Sequence, residues 1–245
     1  MISTLKLRVL IIARDMNERQ QNLLAEVIRS YVREAEPVGS KALEGSSGFS
    51  SATIRNEMAD LENQGYLWQP HTSAGRVPTA KAWQYYVDHL VSAKEPKALE
   101  QRTMDNLWRQ LQNDQTNLLK SLAKTMAQYA GEAVVVGFGP YEVYYTGFSN
   151  LFQQPEFSTV DMVQAIGRAV DHLDESMVKL YEQTPSDRVE VMLGETNPFG
   201  EDCAVVYTRC SSGKNSSLMG FLGPLRMDYD ANIGRLNYVR SLFQS

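Results

Sequence analysis

Cysteine is scarce in this chain, with only Cys203 and Cys210 among 245 residues. Two thiols cannot build a disulfide framework; they fit a reducing compartment and read as structural thiols rather than a redox pair. Histidine is as sparse: His71, His89 and His172 are scattered, and no His/Cys pair has metal-ligand spacing. No Ser/His/Asp constellation stands out, and no glycine-rich phosphate loop follows a strand. The Asp202-Cys203 pair offers a nucleophile in principle. Cys203 opens an apolar run, however, so it reads as a buried thiol. The residues therefore point to no catalytic group, no cofactor and no metal. Long apolar runs are missing too. The unbroken stretch Val9 to Ala13 is too short for a signal-peptide core or a membrane span, so a cytoplasmic protein without a membrane partner is expected. Met16 stands directly before the first strong helix signal, which leaves translation starting at Met1 or at Met16 as alternatives.

What is present is an ordinary globular composition, 43% hydrophobic and 22% charged, in a chain long enough for two domains. The net charge of −5 is unevenly placed. Residues 1–90 carry ten Lys/Arg and ten Asp/Glu, whereas residues 91–245 carry fourteen against nineteen. The acid sits in the back half. A neutral front half can still meet a polyanion if its basic side chains gather on one face.

A helix begins near Asn17, with Leu23, Leu24, Val27, Ile28, Tyr31 and Val32 as its apolar stripe. Glu36-Pro37-Val38-Gly39-Ser40 breaks it, and a short helix follows from Ser40 to Glu44. A third helix runs from Ser50 or Ser51 to about Asn63 and stops at Gly65. Ile54, Met58 and Leu61 share its inner face, and at about 100° per residue Thr53, Arg55 and Asn56 fall outside it. Tyr66–Gln69 and Arg76–Pro78 are short extended pieces around a polar tip, which makes a hairpin. A fourth helix opens at Thr79. These parts suit a winged helix-turn-helix over 17–92, after an N-terminal extension at 1–16.

Residues 93–130 are expected as a linker helix, one long or two shorter. Met104, Leu107, Leu111 and Leu118 sketch a heptad seam that Asp114 interrupts. From Glu132 onward, strand-like runs at 133–138, 142–145, 189–192, 203–207 and 218–221 surround a helical stretch at 158–184, with Met162, Val163, Ile166, Val170 and Leu173 inward. A last helix covers about 231–243. The class is α+β, with residues 131–245 as a sensor-like domain. Tyr141, Tyr144, Tyr145 and Phe148 can line a pocket there, although alternating aromatics in a strand more often form core.

A helix presented over a turn fits the major groove, where base edges carry a readable donor and acceptor pattern. Arg55 can reach guanine or a phosphate, Asn56 can pair with adenine, and Ser51 and Thr53 can bond either. The tip residues His71, Thr72, Ser73 and Arg76 suit phosphates or an adjacent minor groove, and Lys41 can anchor the backbone. Spacing alone leaves a solvated helix face an equal alternative for Thr53, Arg55 and Asn56. The tip, with its donors and no packing task, favours a polyanion.

Three ordered blocks carry a resemblance: Glu36-Pro37-Val38-Gly39-Ser40-Lys41, Ser50 through Glu62, and Gln69 through Thr79, continued by Tyr85-Tyr86-Val87-Asp88. They closely resemble HrcA, the bacterial heat-inducible transcription repressor. Gly147 through Phe157, Leu193-Gly194-Glu195 with Glu201-Asp202-Cys203, and Gly223 through Tyr229 extend the likeness to the back half. The resemblance implies a GAF-like domain there, and a repressor that binds the CIRCE inverted repeat of chaperone operons as a homodimer. It also implies that the GroE chaperonin keeps the repressor active. Lys41, Ser51, Thr53, Arg55, Asn56, His71 and Arg76 would be DNA contacts by this resemblance. HrcA proteins usually carry an inserted dimerisation region before the Gly-Phe-Ser-Asn-Leu segment. Only ten residues lie between Phe138 and Ser149 here, so the insert is missing and the GAF-like domain is reduced. A winged-helix regulator with a ligand-sensing domain, acting on another operator, is the competing reading. A relative that kept the reading head but lost control of heat-shock genes is a third.

Overall fold

A computed structural model describes residues 16–244, apart from 140–141, 184–187, 195–196, 201–202 and 213–214. The apolar run at Val9–Ala13, Tyr141, Glu195, Glu201, Asp202 and the side chain of Met162 lie outside the described residues. The chain divides between Leu90 and Val91 into two compact units.

The first unit is built from helices and one small hairpin. Helix α1, Glu18–Glu34, starts in a capping box: Asn17 Oδ1 accepts the Gln20 amide at 2.9 Å, and Gln20 reaches back to the Asn17 amide. It stops at Ala35, whose left-handed φ of 56° directs its N–H to the Tyr31 carbonyl. A 3-10 turn, Ser40–Leu43, leads into the short α2, Glu44–Ser47. Helix α3, Ser51–Asn63, is N-capped by Ser50. Strands β1, Leu67–Trp68, and β2, Val77–Pro78, pair antiparallel. Helix α4, Ala80–Tyr85, is capped by Thr79 and runs on to Leu90 with π-type bonding. The core gathers the inner stripes that periodicity picked out: Leu24, Val27, Ile28, Ile54, Met58, Leu61 and Trp83 are all buried.

The second unit has three layers. Its sheet is antiparallel, in the order β4-β3-β7-β6-β5, from β3 (Ala133–Gly139), β4 (Glu142–Thr146), β5 (Glu190–Leu193), β6 (Cys203–Ser212) and β7 (Asn215–Pro224). On one face Val135, Val205 and Leu222 meet Ile166, Leu173, Met177 and Leu180. Those residues come from α8 (Val160–Asp171) and α9 (Leu173–Gln183), which follow the short α7 (Phe148–Leu151). Val134, Val206 and Phe221 are aligned by register and point to the opposite face, where α6 (Gln115–Ala130) and α10 (Tyr229–Gln244) pack.

Three expectations change in detail. The stretch expected as a linker helix is an antiparallel pair within the second unit, α5 (Ala98–Leu111) and α6. The interrupting residue Asp114 is the N-cap of α6, and Thr103 meets Tyr129 across the pair at 3.2 Å. The 158–184 helix is two helices, parted at His172. Strands β6 and β7 are about twice their apolar runs, because cross-strand bonding carries them on through polar residues to Ser212 and Asn215. Cys203 and Cys210 are free, buried and seven positions apart on β6, hence on opposite faces. Burial pushes the Cys210 thiol up to about 12. No helix among the described residues is long and apolar enough to cross a membrane.

Candidate nucleic-acid interface

Helix α3 shows why its sequence splits into two faces. Ile54, Glu57, Met58 and Leu61 are buried, while Ala52, Arg55, Asn56, Asp60 and Asn63 are exposed at helical spacing. The start of the helix is fastened twice. The Ser50 hydroxyl accepts the Thr53 amide at 3.3 Å, and Glu44 Oε1 accepts the Ser51 amide at 2.8 Å. Ser40 and Ser51 share a hydroxyl hydrogen bond of 2.8 Å, which ties the 3-10 turn to the start of α3. Arg55 and Asn56 form no ion pair or side-chain hydrogen bond among the described residues, and neither does Lys41.

The hairpin tip is held close to this turn. Val38 and Arg76 exchange two backbone hydrogen bonds, each 2.9 Å, as an isolated antiparallel bridge. Gly75 permits the approach, since a Cβ there would stand 2.4 Å from the Val38 carbonyl carbon. Gln69 Nε2 donates to the Thr72 and Ala74 carbonyls, at 3.2 and 2.7 Å, and so shapes the loop from inside.

These contacts leave a cleft of about 540 Å3 between the turn, α3 and the hairpin. It is lined by five residues that sequence reasoning selected: Lys41, Arg55, Thr72, Ser73 and Arg76. The other four are placed differently. Asn56 is exposed on the α3 face beside Arg55, and His71 is exposed at the loop start. Ser51 and Thr53 are half-buried with their hydroxyls engaged, Ser51 by Ser40 and Thr53 by the Ser50 hydroxyl at 3.0 Å. Arg76 is not a free cation, because its Nε donates to Glu62 Oε2 at 3.0 Å. Ser40, Gln69 and Glu62 were missed; spacing gives no sign that Ser40 meets Ser51 or that Glu62 meets Arg76, 11 and 14 positions apart, and Gln69 reads only as the end of an extended piece. The aromatics Tyr144, Tyr145 and Phe148 do not line the large cleft of the second unit. Trp108, Phe138, Tyr181 and Phe243 do. Among the described residues no group of three or more His, Cys, Asp or Glu could hold a metal ion.

A cleft furnished with hydroxyls, amides and cations, next to an exposed helix face, is equipment for docking a partner. Its similarity to known proteins places the chain in the transcription-regulator class. The family model described as the HrcA protein C terminal domain matches residues 86–233. A heat-inducible transcription repressor HrcA from Brevibacillus brevis is 28% identical, covering 91% of this chain and 96% of the relative. That alignment spans 331 residues, more than the 245 of this chain, so the relative carries residues with no counterpart here. Its namesake from Acetivibrio thermocellus is 44% identical over 115 residues, 46% of this chain and 33% of the relative. A solved structure, described as the crystal structure of a hypothetical protein at 2.2 Å resolution, has the same fold. Its TM-score is 0.67 at 18% identity, over 93% of this chain and all of that one. The chain belongs to the HrcA family of heat-inducible transcription repressors, which are regulators and not enzymes.

Proposed function

We propose that the first unit is a winged helix-turn-helix and that it reads the CIRCE inverted repeat upstream of chaperone operons. The carrying observation is the convergence of Lys41, Arg55, Thr72, Ser73 and Arg76 on one cleft, with Arg55 and Asn56 exposed on the adjoining helix face. In this reading α3 enters the major groove. Arg55 and Asn56 contact base edges, and Ser51 and Thr53 fix the helix start against the backbone. Lys41, His71, Thr72 and Ser73 take phosphates, while Arg76, tethered by Glu62, braces the wing and adds its charge at the cleft.

An inverted repeat calls for a two-fold pair, so the repressor acts as a homodimer through the second unit, read as a reduced GAF-like domain. The extra residues of the Brevibacillus relative agree with the short Phe138–Ser149 spacing, which leaves the sheet or the α5–α6 pair to supply the contact. Heat relieves the repression, and the GroE chaperonin keeps the repressor active.

Substitution separates the roles. Asn56→Ala is expected to lower affinity for the repeat while leaving affinity for scrambled duplex unchanged. Lys41→Ala is expected to weaken both alike and to make the salt dependence shallower. Equal losses on both duplexes for Asn56→Ala would reject base reading by α3.

One observation favours a second reading, in which the second unit senses a small polar ligand. The cleft of about 890 Å3 near the α5–α6 turn is lined by polar side chains, among them Gln112, Asn113, Gln115, Thr116, Ser216 and Ser217. Screening polar metabolites for a rise in melting temperature tests it, and a uniformly flat response would reject it.

A further inference from the structure

The five-stranded sheet of the second unit ends on β4, which pairs with β3 on one side and, among the described residues, with no strand on the other. An edge strand presents a row of backbone N–H and C=O groups to any strand that can lie beside it, and proteins usually guard such edges with charge, lysine or proline. The far edge, β5, is guarded in that way: Arg188 pairs with Glu190 at its start. β4 is not. Its sequence, Glu142-Val143-Tyr144-Tyr145-Thr146, carries one charge, at the first residue, and no lysine or proline. Val143 and Tyr145 oppose Gly137 and Val135, so they share the face that packs α8 and α9. Tyr145 is nevertheless 48% exposed. Its ring meets Phe148 edge-on at 5.2 Å, and Phe152, just beyond α7, is 49% exposed. Tyr144 opposes Val136 on the other face, with the Lys120 ammonium 5.6 Å from its ring centroid.

We propose that β4 pairs antiparallel with β4 of a second copy, joining the two five-stranded sheets into one across a two-fold axis at Tyr144. The strand is complementary to itself. Centring the axis on Tyr144 is the register that pairs all five residues: Tyr144 with its own copy, Val143 with the partner's Tyr145, and Glu142 with the partner's Thr146. The two Glu142 carboxylates then stand about 14 Å apart, so no like charges meet, and each faces a hydroxyl. Valine against tyrosine is a favourable cross-strand pair, made twice here on the face of the exposed Tyr145 rings. An unrelated strand would find the same backbone groups but not these pairs, nor the two-fold symmetry of an isologous contact. The β4 contact rests on the homodimer proposed above and gives that homodimer its surface.

Sedimentation of the full chain without DNA, over a concentration series, measures the dimer directly. Tyr145→Lys puts a charge on each side of the contact at an exposed position, and it should weaken self-association by about tenfold or more. Cross-linking serves if that variant folds poorly. Tyr144→Cys sets two thiols opposite each other across the axis, with Cα atoms about 4.5–5.5 Å apart, a distance that a disulfide spans. It should form covalent dimers under mild oxidation. Glu142→Cys should not, and neither should wild type, whose Cys203 and Cys210 are buried. Three results would overturn the β4 contact: a wild-type monomer, a Tyr145→Lys variant that dimerises like wild type, or cross-linking through Glu142→Cys as strong as through Tyr144→Cys. The operator reading fails separately. A Tyr145→Lys variant that dimerises and binds CIRCE like wild type rejects the β4 contact alone, whereas a dimer cross-linked through Tyr144→Cys that ignores CIRCE supports the contact and rejects the operator.

Discussion

Arg76 shows how one side chain can serve structure and binding together. Its guanidinium is mostly buried, paired to Glu62 Oε2 at 3.0 Å, while its backbone bridges to Val38. Glu62→Ala should therefore loosen the hairpin with a modest cost, about 0.5–1 kcal/mol in urea denaturation, since the Glu62 carboxylate is a third exposed. A cost above that range would mean that Glu62 braces more than one arginine. Gly75 is stricter. An added methyl collides with the Val38 backbone at 2.4–2.5 Å, so Gly75→Ala should cost about 2 kcal/mol or more and break the Val38–Arg76 bridge. An unchanged urea midpoint would show that the bridge yields freely. Both residues were visible in the sequence as turn chemistry, Gly75 as the loop glycine and Arg76 as a basic tip residue. Their partners were not. Glu62 reads as a helix-end carboxylate and Val38 as a linker residue, and nothing local says that the hairpin folds over them.

Among the elements, α3 was the most legible, because its burial follows a helical period and its stop is a glycine in the left-handed region. The ends of β6 and β7 were the least. Thr208 through Ser212 are mostly polar and lie beyond the apolar run at 203–207, yet each pairs across the ladder, and only the partner strand reveals that. Asp114 interrupts a heptad seam in the sequence, yet it is the cap of the next helix. Helix α10 carries a constraint that composition hides. Lys94 donates its amide to the Asp230 carbonyl at 2.8 Å, and Ser92 donates its amide to Asp230 Oδ1 at 3.0 Å. Gly234 lets that segment lie on the helix, since a Cβ would fall 1.7 Å from the Lys94 carbonyl oxygen. Helix propensity alone would make Gly234→Ala stabilising by about 1 kcal/mol. The contact reverses the sign: the variant should be less stable than wild type, with faster amide exchange at Ser92 and Lys94. Unchanged exchange there would show that the segment is not held by α10.

At the scale of the molecule, a buried polar chain joins three elements of the second unit. Glu132 Oε2 accepts from Asn232 at 2.7 Å, Asn232 Oδ1 accepts from Arg235 at 2.9 Å, and Arg235 pairs with Glu100 at 3.0 Å. Burial holds the Glu132 carboxyl up at about 8, although the Asn232 hydrogen bond and Arg235 pull it down. Glu132 is therefore protonated in the folded protein at neutral pH and ionised in the unfolded chain. Its contribution is complete below the ordinary glutamate range and is lost as pH rises toward about 8. Wild type should lose on the order of 2–4 kcal/mol more than Glu132→Gln between pH 5 and 8.5, read from denaturation midpoints. Parallel pH profiles for the two proteins would rule out a protonated Glu132.

Binding of the purified protein to a CIRCE duplex and to a scrambled duplex, across a salt series, tests most directly the proposed reading of an inverted repeat through the cleft and α3. A preference for the repeat of about 4 kcal/mol or more, two copies bound per duplex, and affinity that falls as salt rises are expected. Equal, weak binding to both duplexes at every salt concentration would contradict that reading.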